Sequence, residues 1–276
     1  MEAIKKKINI KRVASGLILF PLVAIVLIFG NKYLVDILVS IIAILSLHEF
    51  YNAFNGKAKP VKIVGYIAAI FIAFIHLIPN TIILKLIGAL IALSVLILFL
   101  IVITSNTKIN IIDISITFFG ICYVALFLMF IPIIRENLEN GKILLWYVIF
   151  AGWGTDVFAY FVGKYFGTHK FSKISPNKTI EGCIGGTIGS AVLILIYTII
   201  CNNVFNLNIN YIAITFMAII LSIIGQIGDL AASSIKRYVG IKDFSHLIPG
   251  HGGMLDRIDS LIFIAPFAYF LFSLFL

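Results

Sequence analysis

The chain has 276 residues, of which 61% are hydrophobic and only 12% are charged. Soluble proteins average about half apolar and about a quarter charged residues, so this composition excludes a soluble domain and indicates an integral membrane protein. The net charge of +9 does not indicate a nucleic-acid partner, because the cytoplasmic loops of membrane proteins carry an excess of Lys and Arg.

Apolar segments long enough to cross a bilayer recur along the whole chain. Because the bilayer leaves unpaired backbone polar groups unsatisfied, each span is expected to be a helix. The fold class is therefore predicted as an all-α integral membrane protein with about nine transmembrane helices. The predicted spans lie at about 13–30, 33–50, 61–79, 81–104, 111–134, 143–164, 182–201, 209–235 and 256–276. No small-x-small cleavage site closes the first span, which favours a retained helix over a cleaved signal peptide.

The distribution of Lys and Arg predicts the orientation in the membrane. With the N-terminus in the cytoplasm, the two longest connections, 165–181 and 236–255, both face the cytoplasm. Of the 21 Lys and Arg residues, those on the opposite side are then only Lys32, Lys85, Arg135 and Lys142. This bias supports both the span count and the orientation. No polar block is long enough for a separate domain, so residues 1–276 are predicted to form one membrane domain.

Two aspartates, Asp156 and Asp229, fall inside predicted spans. A carboxylate at bilayer depth costs about 2.5–3.5 kcal/mol, so each needs a partner or a water-filled cavity. Asp156 precedes Lys164 by eight residues, as Asp229 precedes Arg237, which places both carboxylates about 12 Å from the basic rim. The shared depth predicts one polar cavity open to the cytoplasmic side. The alternative is that each carboxylate bridges two helices structurally.

Asp256 and Asp259 lie three residues apart where the last span begins, so they share one helical face. Directly before them, P-G-H-G-G contributes His251, Gly252 and Gly253, whose backbone amides at a helix N-terminus suit a phosphate. Carboxylates beside phosphate oxygens are the usual ligands of Mg²⁺. The alternative is the ordinary acidic first turn of a helix.

A second polar segment, K-F-S-K-I-S-P-N-K-T-I-E-G, precedes the seventh span. Lys178 is expected to hold phosphate, and Glu181 to orient a lysine or a metal-bound water, although the orientation bias alone also accounts for the lysines. The following G-C-I-G-G-T-I-G contains two G-x-x-x-G spacings, which favour close helix packing over backbone contact with a ligand. For Gly152 and Gly154 both interpretations stay open.

From Ser233 to Asp259 the chain follows S-x-I-K-R-x-x-x-x-K-D-x-S-x-x-I-P-x-H-G-G-M-x-D-R-I-D. This run resembles the phosphatidate cytidylyltransferase (CDP-diacylglycerol synthase) family at every specified position. The resemblance extends upstream through D-V-F-A-Y-F-V-G-K-Y-F-G and S-P-N-K-T-I-E-G. It covers residues 143–276, the expected catalytic half, whereas the spans of residues 1–142 match only in being hydrophobic.

The resemblance implies an all-helical enzyme of the bacterial inner membrane that converts CTP and phosphatidate to CDP-diacylglycerol and pyrophosphate. It also implies Mg²⁺ dependence, with room for a second cation, and a homodimer. The candidate catalytic and charge-neutralising residues are Asp156, Lys178, Glu181, Lys236, Arg237, Lys242, Asp243, Arg257 and Asp259. Ser233, His251, Gly252 and Gly253 are expected to bind substrate phosphate, and Asp229 and Asp256 to ligate the metal.

Two other functions remain open from the sequence. A CTP-using lipid kinase would transfer the terminal phosphate and release CDP. A cation or phosphate transporter would also place carboxylates inside the membrane, although the dense cytoplasmic motif and the absence of inverted repeats argue against it.

Overall fold

The computed structural model describes residues 24–27, 29–106, 108–172, 174–248 and 252–276. All the regular secondary structure in this part of the chain is helical. It contains no strand and only two isolated bridges. The helices are α1 (Lys32–Ala53), α2 (Lys62–Ile72), α3 (Asn80–Thr104), α4 (Ile111–Gly120), α5 (Phe130–Asn137), α6 (Gly141–Ile149), α7 (Thr155–Phe166), α8 (Ile180–Phe205), α9 (Tyr211–Val239) and α10 (Leu255–Phe275). The basic segment 5–12 and most of the predicted first span lie outside the described residues.

Seven helices in the described part are long and apolar enough to span a membrane. Two of them are continuous through π-helical turns: Ile111–Asn137 contains Ile121–Leu126, and Gly141–Phe166 contains Phe150–Gly154. The chain is thus an all-α, multi-pass membrane protein, as the composition predicts. The count of nine spans stays a prediction.

The predicted span 61–79 differs from the structure. The segment forms the 11-residue helix α2 and then a short 3₁₀ turn, Ile75–Leu77. Ile78 is extended (ψ 132°) before Pro79, as the ring of a following proline favours. Eleven residues rise only about 16 Å, which is short of the roughly 30 Å of a hydrocarbon core.

Glycines set the contact between α7 and α8. A Cβ added to Gly185 would lie 2.6 Å from the Val162 side chain, and one on Gly186 would lie 2.8 Å from the Thr155 carbonyl oxygen. The packing interpretation of the G-x-x-x-G spacings is confirmed. Gly152 also packs closely, because its Cβ would lie 2.7 Å from Leu261 of α10.

A buried chain of hydroxyl groups joins α7, α8 and α9 just beyond the carboxylates. Thr155 Oγ1 lies 2.7 Å from Ser222 Oγ, which donates to Thr187 Oγ1 at 3.3 Å. Gln226 Nε2 donates to the same Thr187 oxygen at 2.9 Å. These bonds fix the register of the three helices at the depth of Asp156 and Asp229.

Candidate active site

Three helices bring the predicted aspartates together. Asp156 lies in the first turn of α7, Asp229 lies in α9, and Asp256 and Asp259 lie in the first two turns of α10. The charge of Asp229 acts on both Asp156 and Asp259, and the charge of Asp156 also acts on Asp259. The shared depth inferred from the sequence therefore corresponds to a real cluster of carboxylates.

Lysine and arginine side chains partner this cluster. Lys178, from the segment before α8, forms an ion pair with Asp229. Lys236 of α9 donates to Asp256 Oδ1 at 2.7 Å, and both side chains are buried. The Arg257 side chain is exposed, and its charge acts on Asp156. Each of these three cations thus pairs with a carboxylate of the site or acts on one.

Asp256 accepts hydrogen bonds from the motif loop, which is the segment 244–255 of the sequence (residues 249–251 are not described). While Oδ1 accepts from Lys236, Oδ2 accepts from the backbone amides of Phe244 at 2.8 Å and Gly253 at 3.0 Å. The loop is also closed by the bridge between Ile248 and Gly252. Gly252 has φ +84°, which glycine adopts without the steric penalty of a side chain. His251, the predicted phosphate-binding histidine, lies outside the described residues.

Glu181 has a different set of partners from the one predicted. Its Oε1 accepts from Thr168 Oγ1 at 2.7 Å and lies 2.6 Å from His169 Nδ1. The backbone amide of His169 also donates to both carboxylate oxygens. In the described part of the chain, Glu181 therefore fixes the beginning of the loop that carries Lys178 and does not contact that lysine.

The other candidate residues surround the same end of the protein. Arg237 is exposed and donates to the carbonyl oxygens of Ile174 (3.4 Å) and Ile241 (3.1 Å), which ties the two polar segments together. Ser233 is buried one turn before Lys236 on α9. Lys242 is exposed, and Asp243 is half-buried beside Gly252.

A cavity of about 460 Å³ opens beside the carboxylates. The charged part of its lining consists of Asp156, Asp256, Arg257 and Asp259. The remaining wall is almost entirely apolar, and α1 contributes Leu38, Val39, Ile41, Ile42 and Leu45 to it. Asp229 does not line this cavity among the described residues, although its charge acts on Asp156 and Asp259. A molecule with a charged head and an apolar tail matches this distribution.

Sequence reasoning missed two residues near this site. Glu49, at the end of α1, accepts three hydrogen bonds from the motif loop. Tyr123, in a π-helical turn, has a buried hydroxyl without a hydrogen-bond partner in the described chain, and the charges of Asp229, Asp256 and Asp259 act on it. Glu49 could have been found in the same way as Asp156, because it is also a carboxylate inside a predicted span. Nothing in the sequence distinguishes Tyr123 from other core tyrosines.

Comparison with known proteins agrees with this geometry. A sequence model described as the cytidylyltransferase family matches residues 10–275. The chain belongs to this family. Members of the family that it resembles are named phosphatidate cytidylyltransferase and come from bacteria: Bacillus subtilis strain 168 (41% identical over 61% of this chain and 60% of the relative), Staphylococcus aureus strain COL (35%, over 83% and 86%) and Thermotoga maritima (38%, over 56% and 57%).

The extent of these matches differs between the relatives. The alignment with the Bacillus protein spans 60% of that relative's length, whereas the Staphylococcus alignment spans 86%. The family match itself runs almost from end to end and includes the helices that the sequence motifs do not reach. Family membership thus extends to α1, which contributes to the apolar wall of the cavity.

Proposed function

We propose that this protein transfers the cytidylyl group of CTP to phosphatidate, giving CDP-diacylglycerol and pyrophosphate. The observation that carries the proposal is the cavity of about 460 Å³, in which aspartates and an arginine meet a long apolar wall. Such a cavity suits one substrate that is a lipid and one that is a charged nucleotide. Membership in the cytidylyltransferase family supports the cytidylyl group as the group that is transferred.

The proposed reaction needs charge neutralisation more than acid–base chemistry. An oxygen of the lipid phosphate attacks the α-phosphorus of CTP, the bond from that phosphorus to the bridging oxygen breaks, and pyrophosphate leaves. Phosphatidate is already ionised near neutral pH, so no general base is required. Both substrates are anions, and positioning with electrostatic stabilisation supplies most of the catalysis in such transfers. In the described part of the chain, Lys178 pairs with Asp229, Lys236 pairs with Asp256, and the charge of Arg257 acts on Asp156.

Mg²⁺ is the proposed cofactor, and the residues present fit it. No three His, Cys, Asp or Glu side chains in the described chain converge into a complete metal site. Mg²⁺ does not need such a set, because it is usually held by one or two carboxylates together with substrate phosphates. The buried Tyr123 hydroxyl, which has no hydrogen-bond partner among the described residues, suits a site that is completed by a polar ligand.

We assign the metal to Asp229 and Asp256, with Asp259 and Asp156 as further contacts or as ligands of a second cation. When bound, Mg²⁺ would lower the repulsion between the lipid phosphate and the triphosphate. Asp259 accepts only from its neighbouring Ser260 amide, at 2.8 Å, among the described residues. Asp256 would offer the oxygen that accepts from Lys236.

The remaining proposals concern the setting of the enzyme. The bias of Lys and Arg supports a cytoplasmic N-terminus and a cavity open to the cytoplasm, where CTP is available. Bacterial relatives support the cytoplasmic (inner) membrane as its location. The homodimer implied by the family resemblance stays a prediction.

The function is tested by product analysis in proteoliposomes. Purified protein with CTP, phosphatidate and Mg²⁺ is expected to form a lipid with the mass of CDP-diacylglycerol, together with one pyrophosphate for each lipid product. The matched control is Asp229→Asn, which keeps the size of the side chain. Formation of CDP and a phosphorylated lipid would instead identify a kinase, and phosphate or cation flux without nucleotide would identify a transporter.

A further inference from the structure

Glu49 is a buried carboxylate in the last full turn of α1, in the half of the chain to which the motifs assign no chemistry. It is only 4% exposed. A buried carboxylate is costly unless its oxygens are satisfied by hydrogen bonds or by positive charge. Its partners therefore indicate why it is there.

All the described partners of Glu49 belong to the motif loop. Oε1 accepts from Ser245 Oγ at 2.6 Å and from the Met254 amide at 2.9 Å, and Oε2 accepts from the Leu255 amide at 2.8 Å. Leu255 is the first residue of α10, whose first amides have no acceptor within the helix. Glu49 thus caps α10 from a different helix and places a negative charge at the positive end of its dipole.

The close approach of Glu49 gives a physical reason for two motif residues. A Cβ on Gly253 would lie less than 3.0 Å from the Glu49 carboxyl group, with the carboxyl carbon at 2.8 Å. Any side chain at Gly253 would therefore push the Glu49 carboxyl group out of its present position. Ser245, in turn, is the hydroxyl that donates to the Glu49 carboxylate, and it also accepts from the Leu247 amide at 3.1 Å.

Asp256 accepts hydrogen bonds from the same two parts of the loop as Glu49 does. It accepts from the amides of Phe244 and Gly253, whereas Glu49 accepts from Ser245, Met254 and Leu255. The loop is therefore attached to two carboxylates at each of these two described parts. Asp256 belongs to the site, and Glu49 belongs to α1, which contributes to the apolar wall of the cavity.

We propose that Glu49 is a positioning residue that fixes the described loop residues 244–248 and 252–255, and with them Asp256, Gly252 and Gly253, against α1. The proposal rests on the proposed function, since it assigns the phosphate site to that loop. In this arrangement Glu49 acts through the loop, because both of its oxygens accept hydrogen bonds from loop residues. A displacement of catalytic groups by about 1 Å can reduce the rate by about a hundredfold.

The test compares Glu49→Ala and Glu49→Gln with Asp113→Asn in the full-length protein in nanodiscs. Asp113 is the matched control, because it is also a buried carboxylate of the N-terminal half that accepts backbone amides, from Lys59 at 2.6 Å and Asn110 at 2.9 Å. It has no contact with the motif loop among the described residues. For each variant, kcat and KM for CTP are measured per folded molecule.

Glu49→Ala is expected to lower kcat/KM by about tenfold to a hundredfold, and Glu49→Gln to restore part of this loss because the amide oxygen still accepts. Asp113→Asn is expected to keep kcat/KM within about twofold of the parent per folded molecule, because the misplacement effect applies only to groups that hold the site. Ser245→Ala removes only one of the three hydrogen-bond donors to Glu49. Its kcat/KM tests the proposal if Glu49→Ala does not fold. The proposal is overturned if Glu49→Gln and Ser245→Ala both keep parental kcat/KM, or if Asp113→Asn loses as much.

A second measurement does not depend on activity. A spin label is attached at Leu247→Cys, an exposed loop position, in a chain whose Cys122, Cys183 and Cys201 are replaced by alanine. The label is expected to be less mobile in the parent and in Asp113→Asn than in Glu49→Ala. An unchanged spectrum in Glu49→Ala would overturn the positioning role. If the parent forms no CDP-diacylglycerol, the proposed function fails while this measurement still decides how the loop is held.

Discussion

Asp256→Asn is expected to weaken the fold as well as the activity. The carboxylate accepts from Lys236 at 2.7 Å, and the two side chains are only 2% and 9% exposed. Asparagine would leave the ammonium group buried without an anionic partner. Removing one partner of such a buried pair costs about 3–5 kcal/mol. Asn also has one acceptor oxygen, which cannot serve Lys236 and the two backbone amides together.

The assay is the free energy of unfolding of the parent, Asp256→Asn, Lys236→Met and the double variant in detergent micelles. If the loss in Asp256→Asn arises from the unpaired Lys236, the double variant should be more stable than the sum of the single losses implies. For groups in contact, the expected coupling is about 0.5–3 kcal/mol. Parental stability of Asp256→Asn, or strict additivity in the cycle, would refute the reasoning.

Three further predictions follow from the same structure. Asp229→Asn should fold normally, because both side chains of its ion pair with Lys178 are about a quarter exposed and such pairs contribute about 0–1 kcal/mol. The turnover of this variant should nevertheless fall by orders of magnitude. Near-parental turnover at ordinary Mg²⁺ concentrations would contradict the metal assignment. Gly185→Leu should lower the free energy of unfolding by about 1–3 kcal/mol by separating α7 from α8 at Val162, whereas Gly88→Leu, where an added Cβ meets nothing within 4 Å, should have no effect; equal losses would show that packing is not the reason for the glycine. Cysteines introduced into the segments 165–181 and 236–255 should resist an impermeant reagent added outside intact cells, and labelling of either one would reverse the orientation.

The sequence predicts what depends on local or one-dimensional patterns. The helices follow from hydrophobic length, and the meeting of Asp156 and Asp229 follows from their equal depth in two helices. By contrast, the apolar run 61–79 looks long enough to cross a membrane as one helix, and its division into α2 and a 3₁₀ turn becomes visible only in the fold.

The partners of the site carboxylates are less accessible to sequence reasoning. Glu49 accepts from residues 196 to 206 positions further along the chain, so no local pattern links them. Asp256 was expected as a metal ligand because of its residue type, and its contacts with the Phe244 and Gly253 amides become visible only when the loop is folded. For Glu181, the alternative partners Thr168 and His169 precede it by 13 and 12 residues and approach only when the loop closes.

The most direct test of the central claim is the fate of the phosphates of CTP. Purified protein in phosphatidate liposomes is given Mg²⁺ and CTP labelled with ³²P at either the α or the γ position. Transfer of a cytidylyl group predicts that the α label enters the lipid and that the γ label is recovered only in pyrophosphate. Appearance of the γ label in the lipid, with the α label left in soluble CDP, would contradict the account.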